Sequence, residues 1–160
     1  MQKILLIVLL FLVACRSSPS VSFDNLSNAF ISWYFRYHPV KSSIYDINTN
    51  HKIFMKLEEY EVDEYSADIS RFLIELSQID VTKLDPSSRI DYKILYHKLD
   101  LMKYILSEHK PWEWNPLWYI NELFDGIYIL SESNSLSMEE RVKGVLSRLT
   151  YIPLILETSK

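Results

Sequence analysis

The sequence predicts an all-α fold, a bundle-like array of about five helices that forms an incomplete part of a larger helical protein. Three observations carry this reading. Apolar side chains recur at three- and four-residue spacing over most of the chain, and no stretch alternates as a strand would. Gly126 and Gly144 are the only glycines, so tight glycine hairpins and glycine-rich phosphate loops are excluded. The apolar run Leu154-Ile155-Leu156 falls almost at the end of the chain, an ending that looks cut rather than finished. The 160 residues suit one domain, and 48% apolar and 14% aromatic residues are ample for a core.

The elements follow in order. Leu26, Ala29, Phe30, Trp33, Tyr34 and Tyr37 make one apolar face of a first helix, capped by Asp24 or Ser22 and ended near His38 by Pro39. Val40 to Asn50 reads as a polar loop. Asn48-Thr49-Asn50 can open a second helix, whose stripe runs from Ile53 and Leu57 through Val62, Tyr65, Ile69, Phe72, Leu73 and Leu76 to Ile79, as one long helix or two joined near Glu61. Asp85-Pro86 is a cap followed by proline at the first helical position. It opens a helix to about Lys110 with Tyr92, Leu95, Leu99, Met102, Ile105 and Leu106 inward. Asn115-Pro116 repeats the device for a fourth helix, with Leu117, Ile120, Phe124, Ile127 and Tyr128 on one side. Ser137-Met138-Glu139-Glu140 fits a capping box and starts a fifth, with Val142, Val145, Leu146 and Leu149 inward, until Pro153 kinks or ends it.

Residues 1–14 stand apart from this fold. Lys3 precedes an apolar run from Ile4 to Ala14 that is too short to span a bilayer comfortably. Leu12-Val13-Ala14-Cys15 looks like a bacterial lipobox: a signal peptide cut before Cys15, the chain's sole cysteine, which then carries lipid. An ordinary signal peptide cleaved near Ala14, or an uncleaved anchor, is the alternative. Residues 15–22 read as a tether and residues 23–160 as the helical segment. Lipid anchoring places the protein in the cell envelope, on the extracytoplasmic side, with membrane lipid as a partner through Cys15. The net charge of −4 and the lack of a basic patch argue against nucleic acid.

Chemistry is sparse. His38, His51, His97 and His109 form no HExxH pair; His97 and Asp100 share a helix face but have no third ligand, so no metal site is expected in this chain. The histidines read as solvent-facing, with His109 favoured near a helix C-terminus. Glu58, Glu59, Glu61, Asp63 and Glu64 read as a solvated face rather than an acid–base cluster. No serine sits in a nucleophile elbow. No catalytic residue is assigned. The stretch from Pro111 to Tyr119 holds three of the four tryptophans. There Trp112, Trp114, Trp118 and Tyr119 could stack on a peptide or a sugar, or else seal neighbouring helices.

Several motifs resemble those of the bacterial domain-of-unknown-function 885 family. They are Trp33-Tyr34-Phe35-Arg36-Tyr37-His38-Pro39-Val40, Leu84-Asp85-Pro86-Ser87-Ser88-Arg89-Ile90-Asp91-Tyr92, the Pro111-Trp112 and Asn115-Pro116-Leu117-Trp118-Tyr119 corner, and Glu140-Arg141-Val142 through Leu149, Ile152 and Pro153. The resemblance implies a helical lipoprotein, much longer than this chain, similar to zinc metallopeptidases with HExxH in the C-terminal part. Two departures stand out. Ser43-Ile44-Tyr45-Asp46-Ile47 lacks the family's glycine and histidine, and the chain holds no HExxH. Zinc is therefore implied only for full-length relatives, no family catalytic residue can be carried over, and this chain alone is expected to be inactive. A partner in this reading is the C-terminal part of the same protein. The alternatives are a self-contained periplasmic or surface binding module using the aromatic corner, and a purely structural lipoprotein.

Overall fold

The computed structural model describes residues 19–45, 47 and 59–158. Every regular element among them is helical, in agreement with the all-α expectation. The lipobox with Cys15, the Asn48–Asn50 helix start, His51, and Ile53 and Leu57 of the stripe lie outside the described residues.

Helix α1 (Pro19–Tyr37) begins within the stretch read as tether, so Ser22 and Asp24 lie inside the helix instead of capping it. It buries Phe23, Leu26, Phe30 and Trp33. Pro39 ends α1 as expected, but the predicted loop after it is a short helix, α2 (Pro39–Ile44). Pro39 occupies its first turn, where no N–H is needed, and Pro39, Val40 and Ser42 are buried. Hydroxyls supply what the short backbone ladder cannot: Ser43 Oγ donates to the Pro39 carbonyl and Ser42 Oγ to that of Ile47.

Helix α3 (Glu59–Ser77) buries Tyr65, Ile69, Phe72 and Leu76, the predicted stripe. A 3₁₀ turn at Val81–Lys83, capped by Asp80, leads to α4 (Pro86–Tyr104). Asp85 accepts from the Ser87 and Ser88 amides, as the cap reading required, and Leu95, Leu99 and Met102 face inward. The three long helices and Leu84 enclose one aromatic core. In it Trp33 stacks on Tyr65 at 4.9 Å and meets Phe72 edge-on at 5.3 Å, while Trp33 Nε1 donates to Asp68 at 2.6 Å.

The second half reads differently. Helix α6 (Pro116–Glu132) and helix α7 (Met138–Leu149) start where expected, the latter with both bonds of the Ser137–Glu140 capping box. Their apolar faces, however, do not point inward. Leu117, Ile120, Phe124 and Tyr128 are each more than half exposed, and Val142, Leu146 and Leu149 are exposed too. The sides turned to neighbours carry Tyr119, Gly126 and Leu130 on α6 and Gly144 and Arg148 on α7. Both glycines thus sit in helix interiors, neither at a positive φ. At Arg148 a charged side chain takes a core position. Its Nη1 donates to the Gly126 carbonyl, while Nη2 donates to the Pro39 carbonyl at 3.3 Å and to Ser43 Oγ at 2.8 Å. One guanidinium therefore ties α2, α6 and α7 together, and a hydrophobic pattern cannot announce such a joint. After a turn at Thr150 and Tyr151, α8 (Ile152–Thr158) places Pro153 in its first turn, so the proline marks a boundary as predicted.

Candidate functional site

The aromatic corner is built by a change of helix type. Helix α4 runs on as a π-turn, Ile105–His109, and the Lys110 amide closes it on the Ile105 carbonyl at 2.8 Å. Lys110 then adopts φ 40° and ψ 59°, the positive φ at a non-glycine residue among the described ones. That reversal lets Pro111 open the single turn α5 (Pro111–Trp114), and Asn115 then caps α6 by accepting from the Leu117 amide at 3.1 Å.

The four candidate residues divide within this frame. Trp112 packs on the aromatic core and meets Trp118 at 6.3 Å. Tyr119 is buried and its hydroxyl donates to the Trp112 carbonyl at 3.0 Å; burial raises its pKa, so it remains a donor. Trp118 lies edge-on to Tyr119 at 5.0 Å. These three largely seal the corner. Trp114 is 60% exposed, with its Nε1 committed to the His109 carbonyl at 2.8 Å and its ring edge-on to His109. Trp112, Trp114, Asn115, Tyr119, Ile120 and Leu156 line a cleft of about 290 Å³. It offers stacking surface, with the Glu113 carboxylate and Asn115 amide also at its lining, and no nucleophile with an adjacent base. Among the described residues no cluster of three or more His, Cys, Asp or Glu could hold a metal.

A polar seam that sequence reasoning missed lies where α2 meets α1, α3 and α6. His38, expected to face solvent, is largely covered: its Nε2 and the Tyr65 hydroxyl share a hydrogen bond of 2.6 Å, and the Tyr34 ring lies 4.3 Å away. Burial first, then the charges of Lys98 and Lys41, lowers its pKa to about 4, so the imidazole is neutral at pH 7. Burial pushes Tyr65 well above the usual phenol range. Glu122 on α6 is raised by burial, against the opposing pull of Lys41 and Arg148, while burial lowers Arg148 to about 10 despite Glu122. The available signal was Arg148 itself, four residues after Gly144 and on the same helical face.

No family model matches the chain, and no curated protein matches it. A solved structure does: a protein of unknown function from Shewanella oneidensis, described as a candidate lipoprotein, superposes with a TM-score of 0.78 at 23% identity, covering 86% of this chain and 25% of that one. The match shows the fold, and the resemblance to the 885 family rests on its sequence motifs alone. This chain spans a quarter of the length of the structure it matches.

Proposed function

We propose that this chain is the N-terminal helical segment of a longer envelope lipoprotein, anchored through Cys15 and resembling the zinc metallopeptidase-like 885 family, with the metal-binding part outside this sequence. The observation that carries the reading is the outward apolar stripe Leu117, Ile120, Phe124 and Tyr128, reinforced by exposed Leu146, Leu154 and Leu156. A contiguous apolar stripe on a helix marks a surface made to be covered. The occupant this reading assigns is the C-terminal part of the same protein, in keeping with a solved structure of which the part matched here is only 25%. The segment then supplies a wall and no catalytic group. In the whole protein zinc would polarise a peptide carbonyl and activate a water.

The test is the reading frame beyond the codon for Lys160. An in-frame continuation with HExxH and a further acidic ligand is expected; a stop codon with no such frame nearby removes the peptidase reading. A second reading, a peptide-binding module, is favoured by the exposed Trp114 ring over its cleft and gains ground on that second outcome.

A further inference from the structure

A cleft of about 570 Å³ lies on the side of the molecule where α1, α2 and α4 converge, away from the tryptophan corner. Phe30, Tyr34 and Phe35 of α1 form its apolar wall, Ile44 and Tyr45 its rim, and Lys41 and Lys98 reach in from α2 and α4. The volume lies within the range of small-molecule sites. The rings are braced against each other: Tyr34 meets Phe35 at 5.5 Å and Phe30 at 5.8 Å, and Phe35 meets Tyr45 at 5.8 Å. Lys98 Nζ lies 4.9 Å over the Tyr34 ring.

Two like charges on one apolar cleft are unfavourable unless something answers them. Lys98 feels this, its pKa lowered by burial and then by Lys41. Neither lysine forms an ion pair with another described residue. Glu122 acts on Lys41 electrostatically, but burial raises its own pKa, so it offsets at most one of the two cations. Among the described residues the site therefore carries positive charge that no ion pair answers, beside aromatic surface, a combination that selects an anion with an apolar body. A phosphate dianion is too strongly hydrated to gain from such walls, whereas a carboxylate sheds water more cheaply.

We propose that this cleft binds a small organic carboxylate bearing a flat apolar group, its carboxylate between Lys41 and Lys98 and its apolar group on Phe30, Tyr34 and Phe35. A free aromatic acid and the C-terminal phenylalanine of a peptide share this chemistry.

The test is a titration of the full chain in detergent, followed by amide NMR shifts, with N-acetyl-phenylalanine, N-acetyl-phenylalanine amide, inorganic phosphate and a tetrapeptide ending in free phenylalanine. Saturable shifts confined to α1, α2 and the middle of α4 are expected with the free acid, with the neutral amide and phosphate at least about tenfold weaker. Lys41→Met and Lys98→Met should each weaken the acid about tenfold, while Lys98→Arg stays within a few-fold, which separates lost charge from lost fold. The tetrapeptide binding more tightly than the acid names a peptide end as the source, and the reverse names a free acid; both support the site. Equal binding of the neutral amide, equal binding of phosphate, or no saturation by about 10 mM would overturn it.

Discussion

The two halves of the molecule bury opposite kinds of surface. Around α1, α3 and α4 the apolar stripes face one another, and the interior is a continuous set of rings and leucines. Around α2, α6 and α7 the interior holds Val40, Ser42, Gly126, Leu130, Gly144 and Arg148, while the apolar stripe of α6 faces outward. An apolar face is thus not the same thing as a buried face. The first half is closed by the hydrophobic effect; the second is closed by a guanidinium that satisfies two carbonyls and a hydroxyl from two other helices.

Matched substitutions break this comparison most sharply. Trp33→Ala removes the ring at the centre of the first half together with its bond to Asp68, and should cost about 3–5 kcal/mol. Arg148→Met keeps much of the volume but removes the guanidinium's bonds to the Gly126 and Pro39 carbonyls and to Ser43 Oγ, at about 2–4 kcal/mol in total. Hydrogen exchange tells the two apart: Arg148→Met should expose the amides of α7 and α2 while those of α3 and α4 stay protected, whereas Trp33→Ala should lower protection throughout. If Arg148→Met opened α3 as much as α7, the halves would be one cooperative unit and the contrast would fail.

The seam between the halves should be sensitive to acid. His38 opens α2 and bonds Tyr65 of α3, and its pKa falls from 6.5 unfolded to about 4 folded. The unfolded chain therefore binds the proton first. The stability given by the neutral imidazole is complete above pH 6.5 and is lost as pH falls towards 4, up to about 3 kcal/mol. Glu122 works in the opposite sense, since its raised pKa favours the folded state at lower pH. The difference between wild type and His38→Gln isolates the histidine: denaturant midpoints against pH should slope less for the variant between pH 6.5 and 4. Parallel slopes would mean that the seam does not hold a neutral His38.

How much of this was legible in the sequence follows the same division. Caps were legible because they are local chemistry: Asp85, Asn115 and Ser137 each accept from the amides their position requires. The stripe from Val62 to Leu76 was legible because periodicity and burial coincide there. Periodicity misled at Val142, Leu146 and Leu149, read as inward but exposed, because it locates an apolar face without saying what covers it. His38 and Arg148 were missed because their burial depends on partners far along the chain, Tyr65 and Gly126 among them, and no local pattern encodes such pairs. The corner was legible as an aromatic cluster, but its division into three sealing rings and one exposed Trp114 follows the left-handed Lys110, which residue type alone does not signal.

The smallest expected effect sharpens the comparison most. Phe124 is stacked on Tyr128 at 5.7 Å and is 65% exposed, so Phe124→Ser removes little buried area and should change the stability of this chain by less than about 0.5 kcal/mol. Phe72, a ring of the same kind but buried in the first half, should cost about 3–5 kcal/mol when cut to alanine. The same chemical group would then differ several-fold in cost according to what covers it. If the outward stripe meets the remainder of a longer protein, Phe124→Ser should become costly there, by about 1.5–3 kcal/mol for a ring newly buried at that contact. Denaturant unfolding of Phe124→Ser in the short chain and in the longer protein measures both numbers. A stripe indifferent in both settings would be plain surface; a stripe costly only in the longer one is an interface waiting for its other side.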